Sequence, residues 1–215
     1  MGDYSKALSY YEKTLELQLK TLGPNHPSVA TTFNNLGDVY SDMGDYSKAL
    51  SYYEKTLELQ LKTLGPNHPS VATTFNNLGM VYSDMGDYSK ALSYYEQTLE
   101  LELKTLGPNH PSVATTYNNL GMVYKSMGDY SKALSYYEQT LELELKTLGP
   151  NHPSVATTYG SLGMVYSDMC DYSKALRYYE KALGVMRKSL PATHPSINVC
   201  ERAAADMSQK LMRRS

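Results

Sequence analysis

One heptapeptide, Gly-Asp-Tyr-Ser-Lys-Ala-Leu, begins at Gly2, Gly44, Gly86 and Gly128 and returns as Cys170-Asp171-Tyr172-Ser173-Lys174-Ala175-Leu176, each time 42 residues on. Self-similarity at such a period constrains the fold more than any other feature of the chain. Each unit is too small to bury its own apolar face and does so by lying against copies of itself. The copies are nearly identical. Segments 27–68 and 69–110 differ only at Asp38/Met80, Lys55/Gln97 and Gln60/Glu102. Segments 69–110 and 111–152 differ only at Phe75/Tyr117, Ser83/Lys125 and Asp84/Ser126, whereas 153–194 has drifted further. Near-identity of this kind follows from recent duplication or from consensus construction.

Each unit reads as two helices. The first covers about 28–43, opened by Pro27, because a proline at a helix start gives up no needed N–H. Val29, Phe33, Leu36, Tyr40 and Met43 recur at intervals of four and three, one helical face. Gly37 lies beside that stripe, where a missing side chain admits a second helix. Gly44 ends the helix and Asp45 is suited to cap the next. The second helix covers about 46–64, with Ala49, Tyr53, Leu57, Leu61 and Leu64 as its stripe, widened by Leu50, Tyr52 and Leu59. Gly65-Pro66-Asn67-His68-Pro69 turns the chain into the next unit. The expected fold is all-α, a right-handed superhelical solenoid of antiparallel helix hairpins. It is one array over 1–215: a lone helix 3–22, helix pairs in 27–68, 69–110, 111–152 and 153–194, and a terminal helix 196–212.

The same residues carry a family resemblance. Phe33, Leu36-Gly37, Tyr40, Gly44, Tyr46, Ala49, Tyr53 and Thr56 stand at the offsets of the tetratricopeptide repeat. The runs His-Pro-Ser-Val-Ala-Thr-Thr-Phe-Asn-Asn-Leu-Gly and Leu-Lys-Thr-Leu-Gly-Pro-Asn-His-Pro resemble the 42-residue repeats of kinesin light chains; nephrocystin-type proteins carry similar arrays. The resemblance implies a cytoplasmic protein-interaction scaffold, not an enzyme. In it the first helices line a concave groove that binds an extended peptide or a partner helix. The residues that would face such a partner are Asn34, Asn35 and Asp38; Asn76, Asn77 and Met80; and Asn118, Asn119, Met122 and Lys125. A carboxamide both donates and accepts, so it can satisfy a peptide backbone without reading its sequence. A methionine row adapts to varied apolar side chains. The competing reading is that the asparagines only brace neighbouring helices. Three of the six columns that change across the first three full units, those of Asp38, Ser41 and Asp42, fall on this face. Family ligands are often acidic and met by basic residues. Here Asp42, Asp84 and Asp168 stand in the groove with Lys125, which favours a neutral or mildly basic peptide.

Other signals point away from chemistry. His26, His68, His110, His152 and His194 recur one per unit, too far apart for one metal ion, and are expected to cap helices. The 21 tyrosines are at core spacing. Glu96, Glu100 and Glu102 read as a solvated face. No cofactor motif occurs. A net charge of −2 supplies no field for nucleic acid, and no apolar run is long enough for a bilayer. Cys170 and Cys200 form no disulfide framework, as in a reducing compartment. Gly2 in a myristoylation context and the basic Arg213-Arg214 pair are weak signals. The terminal helices suggest an alternative function, a self-assembling structural module. Leu8, Tyr11 and Leu15 on helix 3–22 would meet Ile197 on helix 196–212 of another copy, head to tail, to form a homo-oligomer. The unpaired ends also suggest a fragment of a longer array.

Overall fold

The computed structural model describes residues 4–213, so Gly2 and Arg214 lie outside it. Among the described residues there are ten helices and no strand. They are α1 (Tyr4–Thr21), α2 (Pro27–Asp42), α3 (Tyr46–Thr63), α4 (Pro69–Asp84), α5 (Tyr88–Thr105), α6 (Pro111–Ser126), α7 (Tyr130–Thr147), α8 (Pro153–Asp168), α9 (Tyr172–Ser189) and α10 (Pro195–Met212). None of these is long and apolar enough to cross a membrane. The chain divides into two compact units, residues 1–108 and 109–215. In the first, α1 packs on the hairpin α2–α3, which packs on the hairpin α4–α5. In the second, the hairpins α6–α7 and α8–α9 stack and α10 packs on α9.

The helix boundaries follow from local chemistry. Pro27 opens α2 while the His26 ring accepts a hydrogen bond from the Ser28 N–H at 3.2 Å, and His68, His110, His152 and His194 do the same for Ser70, Ser112, Ser154 and Ser196. The recurring histidines are therefore caps. Asp45 caps α3 by accepting from the Lys48 N–H at 3.3 Å, and the Lys48 ammonium returns to its carboxylate at 2.9 Å. Between hairpin arms the chain reverses through Gly44 at a positive φ of 76°. The equivalent position before α9 is Cys170, held at φ 60°, a left-handed conformation that disfavours a β-carbon.

Each hairpin closes on a tyrosine laid over a glycine. A β-carbon at Gly37 would stand 2.6 Å from the Tyr53 ring, and those at Gly79, Gly121 and Gly163 only 2.9–3.0 Å from Tyr95, Tyr137 and Tyr179. Beside this contact Tyr52 stacks on Tyr40 (5.5 Å between centroids, 6° between planes), and the Lys48 ammonium sits 4.9 Å over Tyr40. The stack recurs at Tyr82–Tyr94, Tyr124–Tyr136 and Tyr166–Tyr178.

Two details depart from the sequence pattern. Met43 is 47% exposed, because it serves as the C-cap of α2 rather than as a core residue. In α3 the buried stripe runs through Ala49, Tyr53, Thr56, Leu59 and Gln60, while Leu61 and Leu64 face outward. The C-terminal half of α3 serves both neighbours: Leu59 packs on Val29 and Ala30 of α2, and Gln60 reaches Thr74 of α4.

Gly37→Val is expected to lower stability by about 2 kcal/mol, since the buried Tyr53 ring has no room to retreat. A urea unfolding midpoint unchanged from the parent would show that the ring does not depend on the bare backbone.

Candidate functional site

The first helices of successive hairpins share one face in each unit. In the first unit this face is a hydrogen-bonded chain. Asn77 Nδ2 donates to Asn34 Oδ1 at 3.1 Å, Asn34 Nδ2 donates to Asp38 Oδ2 at 3.0 Å, and the Tyr53 hydroxyl donates to Asp38 Oδ1 at 2.6 Å. Burial raises the Asp38 carboxyl above its usual range, opposed by the Tyr53 hydrogen bond and assisted by nearby Asp42. Burial, then Asp38, drives the Tyr53 phenol far above its usual value. Asn34 and Asn77 thus link α2 to α4. Asn35 is half-buried on the same helix, and Asn76 has a partner of its own.

Where Asp38 stands in the first repeat, the next three carry methionine. Met80, Met122 and Met164 are 39%, 42% and 44% exposed, large apolar side chains turned out of the core. The exchange strands a hydroxyl: that of Tyr95, wholly buried, finds no hydrogen-bond partner among the described residues. In the second unit Tyr137 bonds Ser161 instead, and burial pushes its phenol up to about 12. Asn118 is half-buried on α6, and Asn119 beside it is also partnered. Lys125 reaches α8 and pairs with Asp168 at 2.9 Å. Sequence reading counted these as independent groove charges; they neutralise each other.

A second set of polar residues escaped sequence reading. The hydroxyl of Thr32 donates to Gln18 Oε1 at 2.7 Å, that of Thr74 to Gln60 Oε1 at 2.8 Å, and that of Thr158 to Glu144 Oε2 at 2.7 Å. Each bond joins a second helix to the first helix of the next hairpin. Glu102, expected on a solvated face with Glu96 and Glu100, is instead 7% exposed, since it occupies this same inward column. The signal was available: the Gln60/Glu102 exchange is one of few differences between near-identical units, and each Thr sits 14 residues on.

The residues expected to serve self-association lie elsewhere than supposed. Ile197 is 4% exposed, buried with Val155, Cys200 and Met207 in the core of its own unit. Leu8 and Leu15 are half-buried against α2, α3 and their neighbours, and Tyr11 is half-buried. The large apolar side chains that α1 leaves open are Tyr10 at 70%, Leu17 at 61% and Leu19 at 41%. Among the described residues no group of three or more His, Cys, Asp or Glu side chains is placed to hold a metal ion.

Tyr53→Phe is expected to cost about 2 kcal/mol, because it leaves the half-buried Asp38 carboxylate without its shortest hydrogen bond. Tyr95→Phe, which removes an unpartnered hydroxyl, is expected to be neutral or to stabilise by about 1 kcal/mol. Urea unfolding of both variants checks the contrast, and equal losses would overturn it.

Comparison with known proteins agrees with this architecture. Residues 1–62, 43–104, 92–146 and 112–188 each match the profile of the tetratricopeptide repeat. BtubC (BKLC) from P. vanneervenii has a similar structure, with a TM-score of 0.82 at 21% identity over 98% of this chain and 85% of that one. Nearly identical TPR-like repeats assigned to a kinesin light chain of Podosopora anserina superimpose with a TM-score of 0.74 at 27% identity, covering 88% and 90% of the two chains. MamA is similar at a TM-score of 0.59 and 25% identity, over 87% and 85%. No curated protein matches the chain. The four matched segments reach across most of the sequence, and with the solenoid neighbours they place the chain in the tetratricopeptide repeat family, with repeats similar to the 42-residue kinesin-light-chain kind.

Proposed function

We propose that this protein is a non-catalytic interaction scaffold that takes an extended polypeptide along the face lined by its first helices. The family supports a protein-binding role in general. The observation that carries the finer reading is the exposed methionines. Met80 in the first unit, and Met122 and Met164 in the second, stand on the first-helix face of their own unit at about two-fifths exposure, although aspartate at the same column makes an internal bond in the first repeat. An adaptable apolar side chain turned to solvent, at the expense of the Tyr95 hydroxyl, suits contact with a partner better than stability. Asn35, Asn76, Asn118 and Asn119 on the same helices supply polar contacts. Asn34, Asp38 and Asn77 are bonded to one another, and Lys125 is held by Asp168. A cytoplasmic setting fits two free thiols, Cys170 exposed and Cys200 buried.

A photo-crosslinking residue at Met122 or Met164 is expected to capture peptides selected from a displayed library, and one at exposed Glu138 on α7 is not. Met122→Lys with Met164→Lys is expected to weaken those peptides at least tenfold at unchanged helical ellipticity. Capture from Glu138 alone would refute the assignment of the face.

A second reading, head-to-tail assembly, is favoured by one observation. α1 and α3 have the same sequence, yet Leu17 is 61% exposed where its counterpart Leu59 is 7% exposed. The face is complementary to a first helix. Against it, α10 carries Ala205 at the column where Gly37 receives Tyr53, so Tyr11 could not seat there as Tyr53 does. Sedimentation at high concentration decides: Leu17→Glu should abolish any assembly, and a monomer throughout removes the reading.

A further inference from the structure

The inward Gln/Glu column supplies an internal control. Gln18 and Gln60 accept the threonine hydroxyl of the following hairpin at 2.7 and 2.8 Å, and Glu144 does so at 2.7 Å. A neutral amide therefore meets the packing requirement with the same geometry. Glu144 adds a carboxylate that is 8% exposed, at a desolvation penalty that the amide avoids. No lysine or arginine among the described residues pairs with it; Lys146, two residues on, is held by Asn109 at 2.8 Å, and Lys125 by Asp168. Thr158 occupies one oxygen. The carboxylate lines a recess of 240 Å³ between α6 and α8, walled by Thr115, Asn118, Ser154 and Thr157. That recess opens beside Asn118, on the face assigned to a partner.

One hairpin along, the equivalent recess has changed character. Between α8 and α10, Met186 and Cys200 replace Glu144 and Thr158, and Gly160 stands where the earlier repeats have asparagine. This recess measures 400 Å³, with Met164 44% and Val199 67% exposed at its edge. An added β-carbon at Gly160 would meet nothing within 4 Å, so the glycine opens space rather than relieving a contact.

We propose that these neighbouring recesses of the second unit form a two-part subsite for one extended peptide, the Glu144 recess taking a lysine or arginine side chain and the Met186–Cys200 recess a bulky apolar one. Charge complementarity selects the first occupant: a buried carboxylate with no lysine or arginine partner, ringed by hydroxyl and amide acceptors, is built for a cation with several N–H donors. The apolar lining selects the second. Packed hairpins lie ~10 Å apart, and a polyproline-II segment repeats its orientation every three residues over about 9 Å. The peptide thus carries its basic and apolar residues three apart. Burial raises the Glu144 carboxyl from its ordinary 4.5, while Thr158 and His152 draw it down, so an incoming cation gains by relieving the penalty. The inference rests on the partner face proposed above.

The test uses the whole chain and fluorescein-labelled proline-rich peptides holding Lys and Leu three residues apart, in both orders, with Lys→Gln, Lys→Glu and Leu→Ala partners. Anisotropy should show at least tenfold tighter binding of a Lys/Leu peptide than of its Gln or Glu counterpart. Glu144→Gln, which restores the residue found at 18 and 60, should erase that difference while melting at or above the parent temperature. Val199→Ser should erase the preference for Leu over Ala. Equal binding of Lys and Gln peptides by the parent, a preference that survives Glu144→Gln, or no binding by the panel overturns the subsite. If library peptides still crosslink at Met122, the partner face stands without it; if they do not, both readings fall.

Discussion

The tyrosine ring seated on bare backbone is the contact on which everything else is hung. Gly37, Gly79, Gly121 and Gly163 let Tyr53, Tyr95, Tyr137 and Tyr179 approach a neighbouring helix more closely than any side chain allows. That approach sets the spacing within a hairpin, and so decides which residues of the second helix turn inward. Leu59 and Gln60 become inward, Leu61 and Leu64 outward. The first helices are then left with one free face, and the methionines are what it presents. A globular core averages over many contacts; a stack of hairpins has only neighbours, so a single repeated fit controls the whole.

The same ring carries a polar consequence. A buried phenol needs an acceptor, and the first repeat supplies Asp38, itself held by Asn34 and through it by Asn77. The later repeats give up that carboxylate for methionine. Tyr95 is left unsatisfied and Tyr137 turns to Ser161. Near-identical repeats make the exchange easy to interpret, because the surroundings are constant while one residue changes.

Much of this was legible in the sequence. The period, the two helices per unit, the proline and aspartate starts, the capping histidines and the close approach at Gly37 all follow from local chemistry that acts within a few residues. What was illegible was orientation beyond the hairpin. A stripe drawn at helical spacing through Leu57, Leu61 and Leu64 ignores that the helix faces two neighbours at different angles along its length, so Glu102 was read as surface. The Lys125–Asp168 pair was missed for the same reason: it joins residues 43 positions apart that only stacking brings together. Asn34 and Asn77 were visible as asparagines of the first-helix face, but their use as a brace crosses from one column to the next and depends on Asp38 and on the Tyr53 hydroxyl reaching it from another helix.

The identity of α1 and α3 has a further consequence for how the chain reaches this structure. A first helix cannot tell α1, α3, α5 and α7 apart by surface alone, since these second helices are the same or differ at two side chains. Native pairing is then chosen by distance along the chain. The reversal at Gly44 and Asp45 closes a hairpin with little loss of chain entropy, whereas pairing with a second helix beyond the two chain neighbours must close a loop of 42 residues or more. Topological fidelity here is carried by the brevity of the turns, and lengthening one would admit exchanged helices within a chain or between chains.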